Sequence, residues 1–145
     1  MTNDSDFDVR SFLPYLLNQA AEASSLEFQK VYKDRYGMLR NEWRVLFHLG
    51  IHTRMTASQI GERAQMHKTK ISRAVQRLAE RRYLIRQRDD EDRRVEHLEL
   101  TAMGRKVYND LRQIAQDYDL ALLEDMPEAD VVRLKAQLRA LASKS

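Results

Sequence analysis

The sequence predicts a mainly α-helical fold with one small β-hairpin, an α+β arrangement in a single domain spanning residues 1–145. Three observations carry that prediction. Four Gly and two Pro in 145 residues are too few for a turn-rich all-β fold. Apolar side chains recur at helical spacing through most of the chain. Between residues 84 and 100 the period changes, and two short extended segments flank a fully charged tip.

The first helix is predicted over Ser11–Tyr36. Leu13, Leu16, Leu17 and Ala20 set its period, Phe28, Val31 and Tyr32 resume it, and Gly37 ends it. Pro14 falls in the first turn, where its missing N–H is tolerated. A second helix covers Arg40–Leu49 and stops at Gly50. Thr56 with Gln59 three residues on reads as a capping box opening a short third helix that ends near Gln65. The fourth helix, Lys68–Arg82, has one apolar stripe of Ile71, Ala74, Val75 and Leu78. Leu84–Arg88 and Glu96–Leu100 are the strands, with Asp89–Arg94 as the polar tip. Thr101 caps a long helix over Ala102–Asp125, and Pro127 opens a last one with Val131, Leu134, Leu138 and Leu141 apolar.

Charge narrows the function class. Residues 63–88 hold nine Lys/Arg against Glu80 alone, between a neutral first third and an acidic C-terminal part. A basic centre of this kind suits a polyanion, the alternative being a solvated basic face. The absence of Cys removes disulfides and thiolate metal sites. No apolar run is long enough to span a membrane, and the acidic start Met1–Asp6 is unlike a signal peptide, so the expected location is the cytoplasm. There is no nucleophile elbow, no phosphate-cradling glycine loop and no catalytic cluster, so no enzyme, catalytic residue or cofactor is expected.

Two short helices joined by a tight turn and followed by a charged hairpin form a winged helix-turn-helix, here residues 40–102. A helix fills the DNA major groove, and its outward face must match base edges. Lys68, Thr69, Ser72, Arg73 and Gln76 are the residues expected there, with Arg73 suited to guanine and Gln76 to adenine. Lys70 and Arg77, along with Lys68, suit phosphates, which set register without reading sequence. In the tip, Arg94, helped by Arg93, suits the minor groove, where the potential attracts Arg. Asp92, two residues before Arg94, is expected to hold that side chain in a fixed pose. The alternative reading of the tip is a solvated loop.

The run Leu78–Arg86, the tip Asp89–Arg94 and the following Leu98-Glu99-Leu100-Thr101-Ala102-Met103-Gly104 resemble the MarR family of bacterial transcription regulators, as does Asn41–Leu46 upstream. The resemblance covers nearly the whole chain. It implies a homodimer on double-stranded DNA at an inverted-repeat operator, usually a repressor released by a small ligand. It places dimerisation on residues 11–36 and 107–145, which agrees with apolar stripes too long for one small lobe to cover. It also implies an effector pocket near the second and long helices, with Trp43, Arg44, Phe47 and His48 as candidates for an aromatic carboxylate. Two departures stand out. Arg82 occupies a position where the family usually has Gly, and a left-handed backbone there costs Arg about 1 kcal/mol more. His67 stands where a Ser or Asp often caps the recognition helix, and when protonated would suit a phosphate.

His48 and His52, four apart, raise a metal site completed by Asp34 or Glu42, but with Gly50 between them and no HExxH motif the expected metal complement is none. Two other readings remain open at this point: a winged-helix protein-interaction module, and a metal-responsive regulator on the same fold.

Overall fold

The computed structural model describes residues 6–144. A short turn of 3-10 helix, Val9–Ser11, precedes α1 (Leu13–Tyr36), α2 (Arg40–Ile51), β1 (Met55–Thr56), α3 (Ala57–Ala64), α4 (Lys68–Glu80), β2 (Leu84–Arg88), β3 (Glu96–Leu100), α5 (Ala102–Leu122) and α6 (Glu128–Ala142). The chain forms two compact units, residues 1–112 and 113–145, with α5 contributing to both. The three strands form one antiparallel sheet in the order β1-β3-β2. Leu84 faces Leu100 and Arg88 faces Glu96 across the hairpin, and Met55 pairs with Leu98 on its other side.

The sequence misses β1, since two residues carry no period. It is sited by the capping box beside it. The Gln59 N–H donates to Thr56 Oγ1 (3.2 Å), and the Thr56 N–H donates to Gln59 Oε1 (2.9 Å). Both strands of the hairpin have the predicted bounds. The first helix starts two residues late, at Leu13. The second continues through Gly50, which is no helix stop but a seat. A Cβ there would lie 2.3 Å from the Tyr108 ring of α5, so the missing side chain lets that ring pack on α2. The long helix ends at Leu122, and Pro127 is the N-cap of α6.

The core of the first unit is where the periodicity put it. Ile71, Ala74, Val75 and Leu78 of α4 are buried together with Val45, Leu46 and Leu49 of α2, Ile60 of α3, Leu84 and Leu98 of the sheet, and Leu111 of α5. In α1 only Phe28 and Tyr32 are buried, and in α6 nothing is.

The fourth helix ends two residues before the predicted Arg82, in a Schellman motif. The Tyr83 N–H donates to the Leu78 carbonyl (2.9 Å) and the Arg82 N–H to that of Ala79 (3.0 Å). Arg82 takes φ +64, the left-handed conformation that a side chain disfavours. What holds it there is the start of α5. Thr101 Oγ1 donates to the Arg82 carbonyl (2.6 Å) and accepts from the Gly104 N–H (3.0 Å), and the Thr101 N–H donates to the Tyr83 carbonyl (3.0 Å). Gly104 makes the approach possible, because a Cβ there would stand 1.9 Å from the Tyr83 oxygen. Arg82→Gly is therefore expected to stabilise the chain by about 0.5–1 kcal/mol. Gly104→Ala is expected to destabilise it by at least roughly 1–3 kcal/mol through forced displacement of backbone. Urea unfolding midpoints check both.

Candidate nucleic-acid interface

Burying the Ile71 stripe turns the opposite face of α4 outward. Lys68, Thr69, Lys70, Ser72, Arg73, Gln76 and Arg77 are all exposed. His67 is the N-cap residue and gives no side-chain cap, as its chemistry suggests. Among the described residues, Lys68, Lys70 and Arg73 form no ion pair, so their charge is available to a partner.

Other basic side chains of the region are already engaged. Arg77 Nε lies 3.1 Å from Oε2 of Glu42, a carboxylate only 2% exposed on α2. Its other oxygen, Oε1, is buried without a partner. Arg77 is thus first an anchor between α4 and α2, with 47% of its side chain in water. Arg81 donates to the carbonyls of Tyr36 and Gly37, closing the end of α1. Gln76 is held at both ends of its amide. Its Nε2 donates to Glu80 Oε1 (3.0 Å), and its Oε1 accepts from an Arg86 terminal nitrogen (2.8 Å). Arg86 Nε in turn donates to Glu96 Oε1 (3.1 Å). For Gln76 to read adenine, these two bonds must be exchanged for bonds to the base.

The tip of the hairpin is built, not loose. Asp89 Oδ2 accepts from the backbone N–H groups of Glu91 (3.1 Å) and Asp92 (3.0 Å), while its Oδ1 meets His97 Nε2 at 3.2 Å. Arg88 donates to the Arg93 carbonyl (2.8 Å). Asp92 grips Arg94 in a fork: Oδ1 accepts from Nε (3.0 Å) and Oδ2 from a terminal nitrogen (3.2 Å). The Arg94 side chain is nonetheless 90% exposed. The Arg94 guanidinium, then its backbone N–H, hold the Asp92 carboxyl below its ordinary 3.8. A depressed carboxylate keeps its pairing above the ordinary value and loses it only as pH falls through the lowered one. The Asp92 carboxylate is therefore ionised throughout the neutral range.

The four candidates on α2 divide into two pairs. Trp43 and Phe47 stand 4.9 Å apart, centroid to centroid, in a ladder of edge-on rings that continues to Phe28 (5.4 Å) and Tyr108 (5.3 Å). Arg44 and His48 lie on the adjoining row of the helix. Arg44 donates to the Ala64 carbonyl at the end of α3. Burial first, and then the charges of His52, Arg44 and Arg63, hold the His48 imidazole toward its neutral form, and its Nδ1 is buried without a partner. Among the described residues no group of three His, Asp or Glu side chains could hold a metal ion. Nor is any described helix long and apolar enough to cross a membrane.

This arrangement of an outward basic helix and a cation-tipped hairpin has known counterparts. Residues 36–95 match the sequence model of the MarR family. A MarR family transcriptional regulator from Silicibacter pomeroyi DSS-3 superposes with a TM-score of 0.79 at 29% identity, over 94% of this chain and 97% of that one. The chain is thus similar to MarR family regulators in sequence over residues 36–95 and in fold over nearly its whole length. Two more distant solved structures share the architecture. NadR, in complex with 4-hydroxyphenylacetate, superposes with a TM-score of 0.81 at 21% identity, over 100% of both chains. A mutant MarR from E. coli, complexed with operator DNA, gives 0.78 at 17% identity, over 89% of this chain and 92% of that one. No curated protein sequence matches the chain.

Sequence reasoning missed Arg86, and raised Glu42 only as a metal ligand and not as the partner of Arg77. Glu42 is a lone acid in the first turn of α2 with no pattern to mark its partner, and Arg86 alternates with neighbours in a strand. Arg77→Ala is expected to lower the unfolding free energy by about 2–3 kcal/mol, because it strands a buried carboxylate whose partner is half in water. Replacing both members together, Glu42→Leu with Arg77→Met, is expected to recover most of that loss in the same denaturation assay.

Proposed function

We propose that this chain is a sequence-specific, DNA-binding transcriptional regulator, a non-enzymatic cytoplasmic protein that acts as a homodimer on an inverted-repeat operator. The observation that carries the reading is the pairing, in one unit, of an exposed Lys68–Arg73 face with an Arg94 held outward by Asp92. A major-groove reader needs uncommitted donors on a rigid helix, and a minor-groove reader needs a preoriented cation. In this reading Arg73 contacts guanine, Thr69 and Ser72 adjust to neighbouring base edges, and Lys68 and Lys70 bind phosphate with the remaining nitrogens of Arg77. Arg93 supports Arg94 at the wing, and Gln76 reads a base only after releasing Arg86.

Residues 1–145 act as one MarR-like domain in this reading. Residues 40–102 bind DNA and residues 11–36 and 107–145 dimerise. Exposed apolar side chains support the second assignment: Phe12, Leu13, Leu16 and Leu26 at the start of the chain, and Leu120, Val132, Leu138 and Leu141 in the C-terminal unit. Faces of this kind call for a covering surface. The chain acts as a repressor released by a small acidic ligand at α2, where Trp43, Arg44, Phe47 and His48 gather apolar and cationic groups. The bound ligand of NadR, an aromatic acid by name, supports that chemistry.

Binding of the purified protein to its own promoter region, against random DNA at two salt concentrations, tests the reading. Salt-sensitive preference for the promoter is the expected result, and equal weak binding to both would overturn it. Arg73→Ala is expected to cost about 1–3 kcal/mol on the operator and to relax one base position. Lys70→Ala is expected to weaken all sequences alike and to lower the salt slope by about 1.

A further inference from the structure

Gln76 stands on the outward face of α4 with both ends of its amide taken. The Glu80 carboxylate accepts and the Arg86 guanidinium donates, so the amide has one orientation, its nitrogen on Glu80 (3.0 Å) and its oxygen on Arg86 (2.8 Å). Arg86 is anchored from its other side, where Nε donates to Glu96 Oε1 (3.1 Å). Its second terminal nitrogen bonds to nothing among the described residues. The side chain is thus fixed at Nε and open at its end. Arg86 and Glu96 line a cleft of about 460 Å³ between α3, α4 and the hairpin, and Lys68 and Ser72 line it from α4. Lys68 forms no ion pair among the described residues. The acids of the cleft are Glu96, neutralised by Arg86, and Glu62 on α3. Two cations and a hydroxyl, from the hairpin and from α4, share one opening, and these are the groups that hold a phosphate.

We propose that Arg86 is a positioning residue that decides whether Gln76 reads its base. Pivoting on Glu96, Arg86 exchanges the Gln76 oxygen for a DNA phosphate shared with Lys68, and the released amide turns to adenine. The inference rests on the DNA-binding reading above and names what governs one of its base contacts. Without a phosphate in the cleft, the bond Gln76 forms to adenine only replaces the bond it gives up, and the end of Arg86 is left without its acceptor. With a phosphate there, Arg86 leaves for a charged acceptor, the stronger partner, and turning to adenine breaks no bond to the hairpin. Glu80 is exposed, so water replaces the donor it loses. The shared phosphate takes over from Gln76 the link between the hairpin and α4. Sequence at this position is read only where the DNA backbone is already in register.

The test first selects duplexes from a randomised pool with the full chain and reads the preference at each base position by sequencing. The Gln76 position is the one whose preference Gln76→Ala removes. Synthetic copies of the selected duplex then carry a neutral methylphosphonate at one phosphate at a time, with adenine or another base at the Gln76 position. One phosphate is expected whose neutralisation weakens binding of the wild type and leaves Arg86→Ala unchanged. On that duplex the wild type is expected to lose about tenfold of its adenine preference, the effect of a charge-assisted bond to Arg86 that now has to be broken. Arg86→Ala, whose amide is never held, is expected to keep its preference there, and its salt slope is expected to be lower by about 1. A brace that only shaped the hairpin would not tie one base to one phosphate. The wild-type arm remains decisive if Arg86→Ala fails to fold. No base preference removed by Gln76→Ala, or an adenine preference that no neutralised phosphate alters, would overturn the proposal. If the wild type selects a sequence and either of these is found, only this inference fails. If it selects no sequence, the sequence-specific regulator reading fails with it.

Discussion

The winged part of the first unit hangs on the contact between two stretches of backbone, Arg82–Tyr83 and Thr101–Gly104. The chain leaves α4, makes the whole wing and returns to within hydrogen-bond distance of where it left. Thr101 ties the two ends with one hydroxyl acting as donor and acceptor, and Gly104 supplies the space that any side chain would take. The position of the wing relative to α4 is therefore set at its root. The second tie, Gln76 to Arg86 to Glu96, fixes the middle of the hairpin against α4 by the same logic. Both ties fix the wing against α4, and the proposed reading of two grooves at once would require that.

The basic stretch of the sequence divides the same way. By composition it is one patch, yet its members do two kinds of work. Arg77, Arg81, Arg86 and Arg88 spend guanidinium nitrogens on the protein's own carboxylates and carbonyls. Lys68, Lys70 and Arg73 do not. Arginine's planar fork suits it to fixing backbone and carboxylates inside a lobe, and lysine's point charge suits a partner met at the surface. The electrostatic footprint presented to a polyanion is smaller than the charge count suggests and is concentrated on the first two turns of α4.

Much of this is legible in the sequence. The capping box at Thr56, the Ile71–Leu78 stripe and the two hairpin strands are each encoded by neighbours in sequence, so period and capping chemistry find them. The Asp92–Arg94 fork is local too. What was not legible depends on distant partners. Gly50 reads as a helix stop because glycine usually is one, and only the Tyr108 ring, 58 positions away, explains it. Glu42 and Arg77 are 35 positions apart and make no pattern. Gln76 looks free on a helical wheel, and only the folded wing brings Arg86 to it. Arg82 shows the middle case, where the sequence flags an awkward residue and the structure shows the awkward conformation kept.

The first fifteen residues of α1, Leu13–Glu27, bury no side chain. Helix propensity alone leaves a segment of that length marginal in water, since each hydrogen bond gained only just offsets the backbone freedom lost. A helix in that position is stabilised by whatever covers it, and cover supplied by another molecule follows mass action. If that cover is a second copy of the chain, as proposed above, the melting temperature rises with how much protein is in the tube. In the cell, the same relation would link the amount of chain synthesised to the fraction folded enough to act. Such a protein would carry a threshold in its own abundance, independent of any ligand.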